Sequence, residues 1–144
     1  METYEHRQFS PWPLAAMAFF GVWSAKHACR SGQRRTVMPS LGLSLMLAPF
    51  VALSTRVDAH AVSWYFGFGF PSGSIPLADI AAVESARTSL WEGYGIHWTL
   101  RHGWLWNAAG RDAVLIRKLD GGTITLGSDD APALYAAISS RLTA

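Results

Sequence analysis

The sequence predicts a two-helix membrane hairpin followed by a small α+β domain, and three observations carry that prediction. Thr36 to Thr55 is a run of twenty residues without a charge. A helix needs about 20 apolar residues to cross the ~30 Å hydrocarbon layer of a bilayer. A second apolar segment, Phe9 to Cys29, precedes that run. Behind both, from Arg56 onward, short alternating stretches are separated by Gly, Pro and Asp turns, which is the pattern of a β-rich domain.

Composition agrees with an apolar front and an ordinary remainder. Of 144 residues, 50% are hydrophobic and 15% charged, against a typical charged share of ~25%. The deficit sits in residues 1–57, which leaves one modest core for the rest. The net charge is +2, and a basic balance raises nucleic-acid binding. Here, however, Lys26, Arg30, Arg34 and Arg35 cluster between the two apolar segments. A loop between membrane spans presents no groove, so nucleic acid is not an expected partner. Cys29 is the single cysteine; it forms no intrachain disulfide and no thiolate zinc site.

Residues 1–10 read as a polar tail. Pro11-Trp12-Pro13 suits a helix start, since proline is tolerated in a first turn. The first span covers 11–29, with Trp12 and Trp23 placed for the interfacial belts. Its core, 14–25, is also long enough for a buried helix of a water-soluble fold. A cleaved signal is not expected, because the start carries two glutamates and Lys26 stands where a lipoprotein box wants an apolar residue. Residues 30–35 form a basic turn. The second span covers 36–55, with Pro39 in its first turn and Pro49 as a kink. Gly42, Ser44 and Ala48 allow close helix approach. Basic residues in short loops stay in the cytoplasm, so the turn is expected inside and both termini outside.

The hairpin thus occupies 11–57 and the β-domain 58–144. Val62 to Phe66 is aromatic and β-branched, hence strand-like. Gly67 to Gly73 is a loop, Ser74 to Leu77 a short edge strand, and Ile80 to Ala86 another strand. Ile96, Trp98 and Leu100 alternate onto one face, and Gly103 turns into Trp104-Leu105-Trp106. Ala113 to Leu119 and Thr123 to Leu126 flank the hairpin signal Asp120-Gly121. Asp129 or Asp130 can cap a final helix over 131–142, where Leu134, Ile138 and Leu142 recur every four residues.

Several of these residues also resemble a bacterial family. Ile75-Pro76-Leu77 with Asp79-Ile80, Tyr94-Gly95-Ile96, Trp106-Asn107, Gly110 to Val114, Asp120-Gly121, and Leu126 to Pro132 with Leu134 are similar to membrane proteins with a pleckstrin-homology-like domain behind a two-helix hairpin. The similarity spans roughly residues 55–140. It implies a bent antiparallel β-sheet or barrel closed by a C-terminal helix, attached to a bacterial inner membrane. It implies no catalytic activity and no cofactor.

No catalytic constellation emerges from the residues themselves. His97 and His102 are five apart and face opposite sides of a continuous strand, so a metal site is not expected. Gly69 to Gly73 lacks the spacing of a nucleophile elbow, and Gly67-Phe68-Gly69 lacks the helix that would hold phosphate. Asn107, Arg111 and Asp112, at a bend between strands, are the candidates for contact with a ligand or partner. Phe66, Phe68 and Phe70, with Trp12 and Trp23, are the candidates for membrane contact, and Trp98 is expected in the core. The expected function is a membrane-anchored, non-catalytic binding or scaffolding module. Its expected partners are the bilayer and either a membrane protein or a second copy. The alternatives are a small accessory subunit of a larger membrane assembly and a membrane-bound enzyme.

Overall fold

The computed structural model describes residues 3–31, 37–89 and 94–143. The chain runs β1 (Tyr4–Phe9), α1 (Pro11–Ser31), α2 (Val37–Leu47), a 3-10 turn (Ala48–Val51), β2 (Ala52–Val57), β3 (Ala61–Phe66) and β4 (Ser72–Pro76). A second 3-10 turn at Leu77–Asp79 leads to β5 (Ile80–Arg87), β6 (Gly95–Thr99), β7 (Gly103–Asn107), β8 (Asp112–Lys118), β9 (Thr123–Gly127) and α3 (Ala131–Leu142).

The strands form two sheets, not one bent sheet or barrel. The first has the order β1-β2-β3-β4, the second β5-β8-β9-β7-β6. All described pairings are antiparallel except β7 with β9, which run parallel. Alternation along the strands sends one set of side chains from each sheet into a shared core. Leu53, Val62, Trp64, Phe66 and Ile75 come from the first sheet; Val114, Ile116 and Leu126 come from the second. Helix α3 packs on β5, β8 and β2 and adds the fully buried Leu134 and Ile138.

The two-helix transmembrane hairpin expected from the sequence is not what forms. Among the described residues, no helix is long and apolar enough to cross a membrane. Helix α1 has 21 residues, about 31 Å at 1.5 Å per residue, but Lys26, His27 and its serines lower its hydropathy. The uncharged run at 36–55 divides into three pieces. Helix α2 takes 11 residues, about 16 Å, and the 3-10 turn at Pro49 ends it. The last four residues, Ala52 to Thr55, lie in β2 and are buried between β1 and β3. The run is apolar partly because it supplies a core strand. The expected inner-membrane localisation and topology, with turn inside and termini outside, lose their basis with the spans. Of the basic turn at 30–35, residues 32–35 lie outside the described residues, as does Trp91.

The stretch read as a polar tail contains β1, an edge strand paired along β2 from Tyr4↔Val57 to Phe9↔Ala52. Helices α1 and α2 are therefore an insertion between two neighbouring strands. The N-terminus of α3 also differs from expectation. Asp130 stands at its N-cap with no side-chain capping bond. Ser128 Oγ accepts the Asp130 N–H at 3.1 Å, and Asp129 Oδ1 lies 2.5 Å from His6 Nε2 of β1.

Candidate functional site

The pairing of β6 with β7 sets Ile96 opposite Trp106 and Trp98 opposite Trp104. Residues two apart share a face of a strand, so all four side chains lie on one face. The parallel register of β7 with β9 continues that face to Ile124, beside Trp104, and Leu126, beside Trp106. One end of it is core. Leu126 is fully buried, and the Trp106 ring lies 5.6 Å from that of Trp64 and 6.2 Å from that of Phe66.

The other end is open to solvent. Trp104 is 52% and Trp98 57% exposed, and Leu100, just past β6, is 93% exposed. Trp98 was expected in the core. Its side chain is instead more than half exposed. Within the first sheet, Gly73 of β4 pairs with Trp64 and lies against its indole: a Cβ there would lie 2.5 Å from Trp64 Cζ2. The Trp64 Nε1–H is buried at this junction without an acceptor, which is unusual for an indole in an interior.

Between the sheets this leaves a cleft of about 340 Å³ walled by Trp64, Gly73, Ser74, Ile96, Trp104 and Trp106. A second cleft, about 410 Å³, adjoins it across Trp104 and Ile124 and extends to Trp98, Leu100 and Lys118. The two together make an aromatic shelf at the open end of the sandwich. Alternation in Ile96 to Leu100 showed the shared face, but nothing local showed how much of that face is covered.

The residues singled out in the sequence fall elsewhere. Asn107 ends β7 and is buried; its Nδ2 donates to Gly110 O at 3.2 Å and its Oδ1 sits against Gly127. Arg111 Nε donates to Thr88 O at 3.2 Å, and the Thr88 N–H donates back to Arg111 O at 2.7 Å. Asp112, exposed at the start of β8, has an oxygen 3.7 Å from Arg87 Nε. These three therefore hold a bend together. The β1–α1 junction docks on the same bend. Gln8 Nε2 donates to Ala109 O (2.7 Å), and Ser10 Oγ and Trp12 Nε1 both donate to Ala108 O (2.5 and 3.0 Å).

Trp12 is half-buried by that contact and stacks on Tyr94, with ring centroids 6.3 Å apart. Trp23 is exposed on α1, its ring 4.5 Å from that of His27. Phe66 is fully buried against Phe50 and Trp106, whereas Phe68 and Phe70 are exposed. Among the described residues, no three His, Cys, Asp or Glu gather where they would hold a metal ion.

The fold and this shelf define a two-sheet α+β protein with an apolar, indole-rich cleft. No protein-family profile matches the chain, and no curated protein matches it. With two separate sheets and, among the described residues, no helix long and apolar enough to cross a membrane, the resemblance to pleckstrin-homology-like membrane proteins is overturned.

Proposed function

We propose that the protein is a non-catalytic binding module whose binding face is the aromatic shelf of β6, β7 and β9. The observation that carries this reading is the pair Trp98 and Trp104, about half exposed on a face continuous with the core. Large aromatics held by strands are the residues that dominate binding energy at protein interfaces. Apolar clefts with few polar groups are the usual form of ligand sites. The smaller cleft carries one hydroxyl, Ser74, and no side-chain acid or base, so its walls suit burial of an apolar group and offer nothing for proton transfer. The ligand class this favours is a peptide segment with apolar or aromatic side chains.

The test is selection of peptides from a random library on the intact protein, followed by affinity measurement on the Trp98→Ser/Trp104→Ser double variant. Loss of two aromatic anchors worth about 2 kcal/mol or more between them weakens selected peptides roughly 30-fold or more. Peptides that bind the variant as tightly as the parent protein would overturn the assignment of the shelf. Because both indoles are half exposed, the variant is expected to remain folded, which its circular dichroism checks.

A further inference from the structure

From His6 to Val57 the chain contains no acidic residue, yet it holds six of the twelve lysines and arginines; all ten Asp and Glu lie outside it. That segment includes most of β1, both helices of the insertion, and β2. Helices α1 and α2 pack on each other and on the 3-10 turn Ala48–Val51. Phe19 and Val22 of α1 and Leu45 and Met46 of α2 are left exposed. Helix α2 carries no charged residue, its polar side chains being Ser40 and Ser44 alone, and so apolar a helix needs cover on most of its faces.

A second apolar group stands at the base of this hairpin. The Gly67 N–H donates to Ala52 O at 2.8 Å, and the Phe66 N–H donates to Pro71 O at 2.9 Å. These bonds fix the Gly67–Pro71 loop beside the start of β2, with Phe68 and Phe70 in solvent. Arg7 in the same sheet holds its guanidinium 5.3 Å from the ring centroid of the exposed Phe9, and Lys26 on α1 and Arg56 on β2 are exposed. The surface is thus apolar and aromatic, and the two helices of the hairpin carry basic residues and no acidic one, the nearest acids being Glu5, opposite Arg56 in the first sheet, and Asp58 and Asp79 on either side of the loop.

We propose that the helical hairpin and the Phe68–Phe70 loop dock on an anionic bilayer surface, lying in the headgroup region without crossing it. Apolar side chains enter the boundary between headgroups and acyl chains, and basic residues meet lipid phosphates. A second copy fits less well as the occupant. An isologous contact sets the same surface against itself, which would bring together two helical hairpins that carry basic and no acidic residues. The anionic lipid supplies the missing counter-charge. This inference uses no residue of the aromatic shelf and stands or falls independently of it.

The test is co-sedimentation of the full chain with phosphatidylcholine vesicles, with and without phosphatidylglycerol. Partition is expected onto the anionic vesicles and to weaken with salt. Arg7→Gln and Lys26→Gln should each lower it roughly fivefold, the effect of one basic residue near an anionic surface. Phe68→Ser/Phe70→Ser should lower it about tenfold or more with an unchanged melting curve, since both rings are exposed. Equal partition onto neutral and anionic vesicles overturns the proposal, as does full retention by the Phe68→Ser/Phe70→Ser variant. So does absence of partition, including the case where a dimer or a stoichiometric protein partner covers the hairpin. Resistance to alkaline carbonate extraction would mean insertion across the bilayer and overturns it equally.

Discussion

Two glycines with similar backbones and different surroundings test the pairing that builds the shelf. Gly103, first in β7, has φ +64°, and Gly121, in the β8–β9 turn, has φ +85°. An alanine at either position pays the left-handed penalty of about 1–2 kcal/mol, offset by about 0.4–1 kcal/mol from a less flexible unfolded chain. At Gly121 an added Cβ meets nothing within 4 Å, so Gly121→Ala should cost about 1 kcal/mol or less. At Gly103 the Cβ would collide with Thr123: it would overlap the hydroxyl and carbonyl oxygens and sit 2.9 Å from the carbonyl carbon. The obstacle is largely backbone, from the strand that pairs in parallel with β7, so it cannot rotate away. Overpacking of this kind adds about 1–3 kcal/mol, so Gly103→Ala should cost about 1–3 kcal/mol more than Gly121→Ala. Urea unfolding of the two variants and the parent measures the difference, read from the midpoints at a common slope. A Gly103→Ala variant no less stable than Gly121→Ala would refute the close approach of β7 to β9, and with it the face shared by Trp104 and Ile124.

Stability should also respond to pH at both ends of the scale. The Tyr4 hydroxyl is pushed up to about 12, first by burial and then by the negative charge of Asp130. Its neutral form is favoured in the folded chain. This contribution is therefore complete below about pH 10, the ordinary tyrosine value, and is lost as pH rises toward 12; Tyr4→Phe should flatten the alkaline limb of a stability profile between those limits. Asp58 accepts hydrogen bonds from the His60 and Ala61 N–H groups, and Asp120 accepts from Lys118 Nζ and the Gly122 N–H. These bonds hold both carboxyls below their ordinary range. The contribution is present above the ordinary carboxylate value and disappears as the pH falls through the lowered one. Asp58→Asn with Asp120→Asn should therefore flatten the acid limb, seen in unfolding midpoints below about pH 4.

What the sequence disclosed and what it hid follow from one limit: hydropathy reports that a residue avoids water, not what covers it. The β-domain strands were legible because their cover is period-two and local. Ile124 and Leu126 alternate with threonines, and β9 occupies Thr123–Gly127. Leu134 and Ile138 repeat every four residues, and both are fully buried in α3. The uncharged run at 36–55 has no such period, so it reads equally as lipid-facing helix or as interior. Its end is interior: Ser54 and Thr55 are buried with Ala52 and Leu53, and a mixed polar and apolar tetrad of that kind suits a paired core strand better than hydrocarbon. The partner strand, β1, was illegible for the opposite reason. Its inward residues are Tyr4, His6 and Gln8, two of them polar, so alternation gave no hydropathy signal. Gln8 is buried because Ala109 O, a hundred residues on, accepts its amide. The same long-range docking braces the Asn107–Asp112 bend, which holds the candidates for contact with a ligand or partner. The aromatic shelf was hidden in a similar way: Trp98 and Trp104 stay about half exposed although they share a face with the buried Leu126. Each local pattern was compatible with a tryptophan in the core; alternation assigns residues to a face, and only the packing of strands far apart in the chain decides which part of that face is covered.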